Sequence, residues 1–194
     1  MSKIVIFSTI ILLTLSGCIS FYHDDRKKGI GVEIGSAHDV FFGSVQLQDT
    51  SYPNLVINGK AKFDNVSITE TLIINGALSA TKSKIGTMLV NGKADLQQTT
   101  ITGISTINGY VHAQDSIFLD RISVRSKRIT LSGSTIKAIT VKKPSKSEPV
   151  EQIIELRNTK IDGNILFEGG NGKVLLKGNS KIIGKIDGGV IEKF

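Results

Sequence analysis

The sequence predicts an all-β protein built as a single parallel β-helix, a β-solenoid of about eight rungs of 16 to 18 residues with one ejected loop. Three observations lead there. Asn-Gly recurs at Asn58-Gly59, Asn75-Gly76, Asn91-Gly92 and Asn108-Gly109, with gaps of 17, 16 and 17 residues. A short, nearly fixed period marks units that cannot bury their own apolar face and must stack on their neighbours. Apolar residues keep constant offsets from each Asn, and this pattern outlasts the Asn-Gly pairs themselves. Finally, 194 residues with 40% hydrophobic content can form a real core, yet only 6% are aromatic and tryptophan is absent. A slender core of Ile, Leu, Val and Ala suits that composition better than a sandwich packed around large rings.

From the N-terminus, residues 1–17 read as an export signal. Lys3 is the positive n-region, Ile4 to Leu15 the apolar h-region, and Ser16-Gly17 the small residues before a cleavage point. The apolar run is short for a bilayer span, which needs about 20 residues. Leu15-Ser16-Gly17-Cys18 resembles the lipobox of bacterial lipoprotein precursors, and Cys18 is the only cysteine. The resemblance implies cleavage before Cys18, diacylation of its sulfur and usually acylation of the new amino group, with palmitate as the acyl chain. Two or three chains anchor firmly, since each buried methylene contributes about 0.8 kcal/mol. Ile19 stands where an Asp would retain a Gram-negative lipoprotein in the inner membrane, which favours the outer membrane. No cysteine is left for disulfides, so packing alone must hold the domain. Losing residues 1–17 removes only the charge of Lys3, taking the net charge from +7 to +6.

Residues 18–36 read as the lipidated N-terminus and tether, with Asp24-Asp25-Arg26-Lys27-Lys28 inside them. Ile30, Val32 and Ile34 alternate and suit a first, capping strand. The β-helix domain then covers 37–194. With each Asn of the Asn-Gly pairs as position zero, offset 3 holds Ala61, Leu78, Ala94 and Val111. Offset 5 holds Phe63, Ala80, Leu96 and Ala113, and offset 10 holds Ile68, Ile85, Ile101 and Phe118. Anchors at Ala37, Ser126, Glu151 and Asn171 extend the template both ways. Across the eight units, offsets 3, 5 and 10 are apolar in 23 of 24 cases and offsets 6 and 7 in none of 16. The i, i+2 pairs point one way from a strand, the polar gap between them is a corner, and Val56, Ile73 and Val124 supply a third side.

Asn-Gly is also the strongest hairpin signal. Here, however, the same order of sides follows every pair, which favours a parallel coil in which Gly takes a positive-φ corner and Asn stacks as an amide ladder. Offset 8, with Val66, Ser83, Thr99 and Ser116, suits a similar hydroxyl ladder. Within rungs a large residue faces a small one, as in Ala61 with Phe63 and Leu78 with Ala80. From Ile129 with Leu131 onward both are large, so the coil is expected to widen. Residues 142–150 contain two prolines and read as a loop ejected from the stack. Right-handed crossover is the general expectation for parallel strands.

Catalytic and metal-binding patterns are missing. His23, His38 and His112 lack ligand spacing, no nucleophile or phosphate-loop motif occurs, and Asp95, Asp115 and Asp120 are not set beside a base. The reading is therefore no enzyme, no cofactor and no metal, with a β-helical polysaccharide-active enzyme as the remote alternative. Arg121, Arg125, Lys127, Arg128, Lys137, Lys142, Lys143 and Lys146 follow one another without an intervening acid. Such a run either solvates a rod or attracts an anionic envelope glycan or lipid. Nucleic acid is excluded as a partner by export and by the lack of interleaved aromatics.

The rung length, together with Ile161-Asp-Gly-Asn-Ile165 and Ile183-Gly-Lys-Ile186-Asp-Gly, resembles bactofilins, bacterial polymer-forming β-helix proteins. That resemblance implies a scaffold that self-associates end to end. The export signal, the lipobox and the proline loop depart from it. The expected protein is a lipid-anchored structural element of the cell envelope, with binding of an anionic glycan or lipid through residues 121–146 as the alternative.

Overall fold

The computed structural model describes residues 19–22, 30–34, 38–144 and 150–193. The described residues are strands and turns without a helix. One strand runs unbroken from His38 to Thr81, 44 residues. Straight, it would reach roughly 145 Å at about 3.3 Å per residue. It instead bends at corners while its ladder continues, and this wrapping defines a parallel β-solenoid.

Three sides recur in each turn. On the first, Leu78, Ala94, Val111, Ile129, Ile154, Val174 and Ile191 are paired in sequence, all in parallel register. On the second, Ile101, Phe118, Ile136, Ile161 and Ile182 form the equivalent column. On the third it is Ile107, Val124, Val141 and Phe167. These side chains point inward and join one continuous buried core, apart from Ile191 and Ile182 in the final turn. The large-with-small pairing of the first side keeps that narrow core filled, with Ala94 and Leu96 at 0% and 2% exposure.

Each corner has its own chemistry. The bend between the third and first sides carries Asn-Gly: Gly59, Gly76, Gly92 and Gly109 sit at φ from +142° to +147°. A Cβ on Gly76 would lie 1.9 Å from the Gly59 carbonyl oxygen, so the backbones stack too closely for any side chain. Beside them the Asn side chains hydrogen-bond in series, Asn75 Nδ2 to Asn58 Oδ1 at 2.8 Å, Asn91 to Asn75 at 2.8 Å and Asn108 to Asn91 at 2.9 Å.

The bend between the first and second sides is different. Asp49, Asn65, Lys82, Gln98, Asp115 and Asn158 occupy left-handed conformations with φ from 48° to 53°, and Gly133 takes the same place at 59°. The next residue turns inward and is small or hydroxylic. Its hydroxyl does not form the expected hydroxyl-to-hydroxyl ladder. Ser116 Oγ accepts the Thr99 backbone N–H at 3.2 Å and donates to the Gln114 carbonyl at 2.8 Å. Ser134 does the same for the Ser116 N–H, and Ser83 for the Val66 N–H. The sharp turn leaves a buried N–H without a ladder acceptor, and the hydroxyl satisfies it.

The first rung corrects one expectation. Anchoring at Ala37 put Val40, Phe42, Val45 and Leu47 at offsets 3, 5, 8 and 10. In the structure the unit starts at Phe42, beside Gly43, whose carbonyl stacks against Gly59. Val45 and Leu47 are therefore the first-side pair, Asp49 is the left-handed corner bonded to Asn65 at 2.7 Å, and Phe42 is 52% exposed. Phe replaces Asn in the column there, so the dipeptide signal is lost although the glycine survives. Ahead of it, within 18–36, Ile30–Ile34 pairs antiparallel with the start of the long strand and Ile19–Tyr22 pairs antiparallel with Ile30–Ile34. Phe41 and Tyr52 meet edge to face at 6.4 Å and fill this end of the core.

Toward the C-terminus the longer units are absorbed at corners. Before the loop Lys142 is joined to Glu168, and buried Gln152 donates to the carbonyls of both Ser126 and Lys142 at 3.0 Å. Those bonds tie the base of the insertion to the stack. Phe167 is buried in the core and lies over Gly172, where a Cβ would meet its ring at 2.2 Å.

Candidate functional site

Cys18, His23 and Lys146 lie outside the described residues, as do 145–149. The export signal, Asp24 to Lys28 and Ala37 also lie outside them, and the remaining candidate site residues can be placed. The basic run does not form one surface. Arg121, Arg125 and Lys142 project from the third side, Arg128 from the first and Lys137 from the second, because a run of that length travels around the coil. Two of its members meet carboxylates from the following rung: Arg128 pairs with Glu155, and Lys142 with Glu168 at 2.6 Å. The hydrogen bond from Lys142 holds the Glu168 carboxyl below the usual carboxylate range. Arg125 closes the amide ladder, donating to Asn108 Oδ1 and to the Lys143 carbonyl, each at 3.3 Å. Arg121, Lys127, Lys137 and Lys143 remain exposed. Absence of acids in sequence was a poor guide, since neighbours in the stack are about 17 to 26 residues away.

The carboxylates are equally dispersed. Asp95 bonds Lys93 at 2.7 Å on the first side. Asp115 is a left-handed corner residue, and Asp120 accepts the Arg121 backbone N–H at 2.6 Å. No group of three or more His, Cys, Asp or Glu among the described residues is arranged to hold a metal ion.

A feature the sequence reading passed over is the outer face of the first side. Its outward columns are Lys60, Ala77, Lys93 and Tyr110, and next to them Lys62, Ser79, Asp95 and His112. Small Ala77 and Ser79 lie between two taller rows, leaving a depression of about 270 Å³ edged by Lys60, Lys62, Lys93 and Asp95. Shared Ser79 and Asp95 lead into a second depression of about 180 Å³, bordered by Thr81, Gln97, His112 and Gln114. Lys93 Nζ is 5.4 Å from the centroid of the Tyr110 ring. Its hydrogen bond to Asp95 raises its pKa, so it stays charged. The offsets that located the core would have located this face, two and four residues after each Asn.

The fold places the chain among parallel β-solenoids. No protein-family model, curated protein or solved structure matches it at a significant level.

Proposed function

We propose that this chain is a non-enzymatic scaffold of the cell envelope, held to a membrane through lipid on Cys18 and self-associating through the C-terminal end of its coil in a bactofilin-like manner. The observation that carries the reading is the asymmetry of the two ends. At the N-terminal end the first strand is covered by Ile30–Ile34 and the core is closed by Phe41 and Tyr52. At the C-terminal end Gly189–Lys193 pairs on one edge with Gly172–Lys177, and no described strand lies on its other edge. There Ile183, Val190 and Ile191 are 56%, 61% and 48% exposed. An open edge beside apolar side chains is a template for another chain. The dispersal of the carboxylates supports a structural rather than a chemical role, and Leu15-Ser16-Gly17-Cys18 supports the anchor.

Labelling with a fatty-acid analogue in a bacterium tests the anchor: the wild-type chain takes the label, and Cys18→Ser abolishes it and releases the protein from membranes. Equal labelling of both would remove lipid from the proposal. Cross-linking in intact cells, followed by identification of partners, tests the scaffold role. Copies of this chain are the expected product, and recovery of monomer alone would count against it.

A further inference from the structure

We infer that the outer face of the first side is a binding site for an acidic polysaccharide strand, centred on Lys60, Lys62 and Lys93; of the basic run at 121–146, Arg128 shares this side, two strands beyond Lys93 and paired with Glu155. It goes beyond the scaffold role and does not depend on it.

The site is built by periodicity. Lys60 and Lys62 are two apart on one strand, so both project outward, about 7 Å from each other. Neither makes an ion pair among the described residues, whereas Lys93, Arg128, Lys142 and Lys173 all do. Lys93 stands two strands away from Lys60, about 9.6 Å along the coil. Between them the short side chains of Ala77 and Ser79 form the floor of the depression. One wall therefore carries two uncompensated cations, and the other carries the Lys93–Asp95 pair, 2.7 Å across.

The lining selects the ligand class. A pyranose presents an apolar C–H face and a rim of hydroxyls. The Ala77 methyl and the exposed Tyr110 ring suit the first, while Ser79 and Asp95 suit the second. The adjoining depression, with Thr81, Gln97, His112 and Gln114, prolongs the same polar lining and gives room for a further sugar. Lys60 and Lys62 add attraction for carboxylate or phosphate groups carried on the chain. A bilayer surface fits poorly, because beside the depressions the exposed apolar surface is the single Tyr110 ring, set among Lys93, Asp95 and His112, and exposed Ile117 and Leu119 lie elsewhere on the coil. A single aromatic gives no series of stacking platforms for nucleic acid.

The test uses the full-length chain in detergent, with polygalacturonate as carboxylate polymer, a phosphomannan as phosphate polymer and neutral dextran as control. Binding to one or both acidic polymers and not to dextran is expected, and the preferred polymer identifies the anion. Lys60→Ser with Lys62→Ser should weaken binding about tenfold, a loss that shrinks as salt rises. The charge-matched pair Lys137→Ser with Lys143→Ser should change it less than about twofold. Ala77→Phe fills the floor without altering charge and should also weaken binding, with the circular dichroism spectrum unchanged. Equal losses from the two lysine pairs, or no binding of the wild-type chain to either acidic polymer, would overturn the site.

Discussion

At the scale of single residues, the coil depends on positions where one atom decides the outcome. Gly76 is the clearest, with φ at +147° and a neighbouring carbonyl oxygen 1.9 Å from where a Cβ would sit. Gly76→Ala must push two rungs apart, and we expect a loss of about 2–4 kcal/mol in urea unfolding. A change below half a kilocalorie per mole would contradict the stacking. Ser116 acts through a hydroxyl that accepts a buried N–H, so Ser116→Ala strands the Thr99 amide and should lose about 1–3 kcal/mol. Ser116→Thr keeps the hydroxyl and should recover most of that. The sequence made the small, polar character of this column visible. It could not display the reason, because the unpaired N–H arises only once the preceding residue turns left-handed.

At the scale of elements, the informative cases are the places where the period changes. The columns at offsets 3, 5 and 10 were legible because inward-facing positions tolerate little but aliphatic and aromatic side chains. The first rung was misread by five residues because Phe42 replaces the expected Asn, while the glycine and the left-handed corner kept the true register. The basic run is spread over three sides because adjacency in sequence becomes rotation around a coil. Lys142 and Glu168, bridged beside the insertion, illustrate this. The folded-state pKa of Glu168 is lowered, so its contribution is present above the unfolded value near pH 4.3 and lost as pH falls through the folded value. Because both groups are well exposed, it amounts to less than about 1 kcal/mol. Wild type should therefore melt slightly above Glu168→Gln at pH 7, with the difference shrinking as pH falls through the folded value. A difference that persists at low pH would mean that packing, and not charge, joins these rungs.

At the scale of the whole molecule, the two ends differ in what they leave open. The N-terminal end is paired and plugged with aromatics, whereas the last rung presents Ile183, Val190 and Ile191 beside an edge on which no described strand lies. A stack with nearest-neighbour contacts can be extended by another copy at little cost to its interior. Electron microscopy of the full-length chain tests self-association most directly. Rods at least twice the roughly 40 Å expected for one molecule at about 4.8 Å per rung should appear. Ile191→Asp, which places a charge at the open end without touching the middle of the coil, should reduce them to single-molecule length. Wild-type particles of single-molecule length at every concentration, or rods unaffected by Ile191→Asp, would contradict assembly through this end.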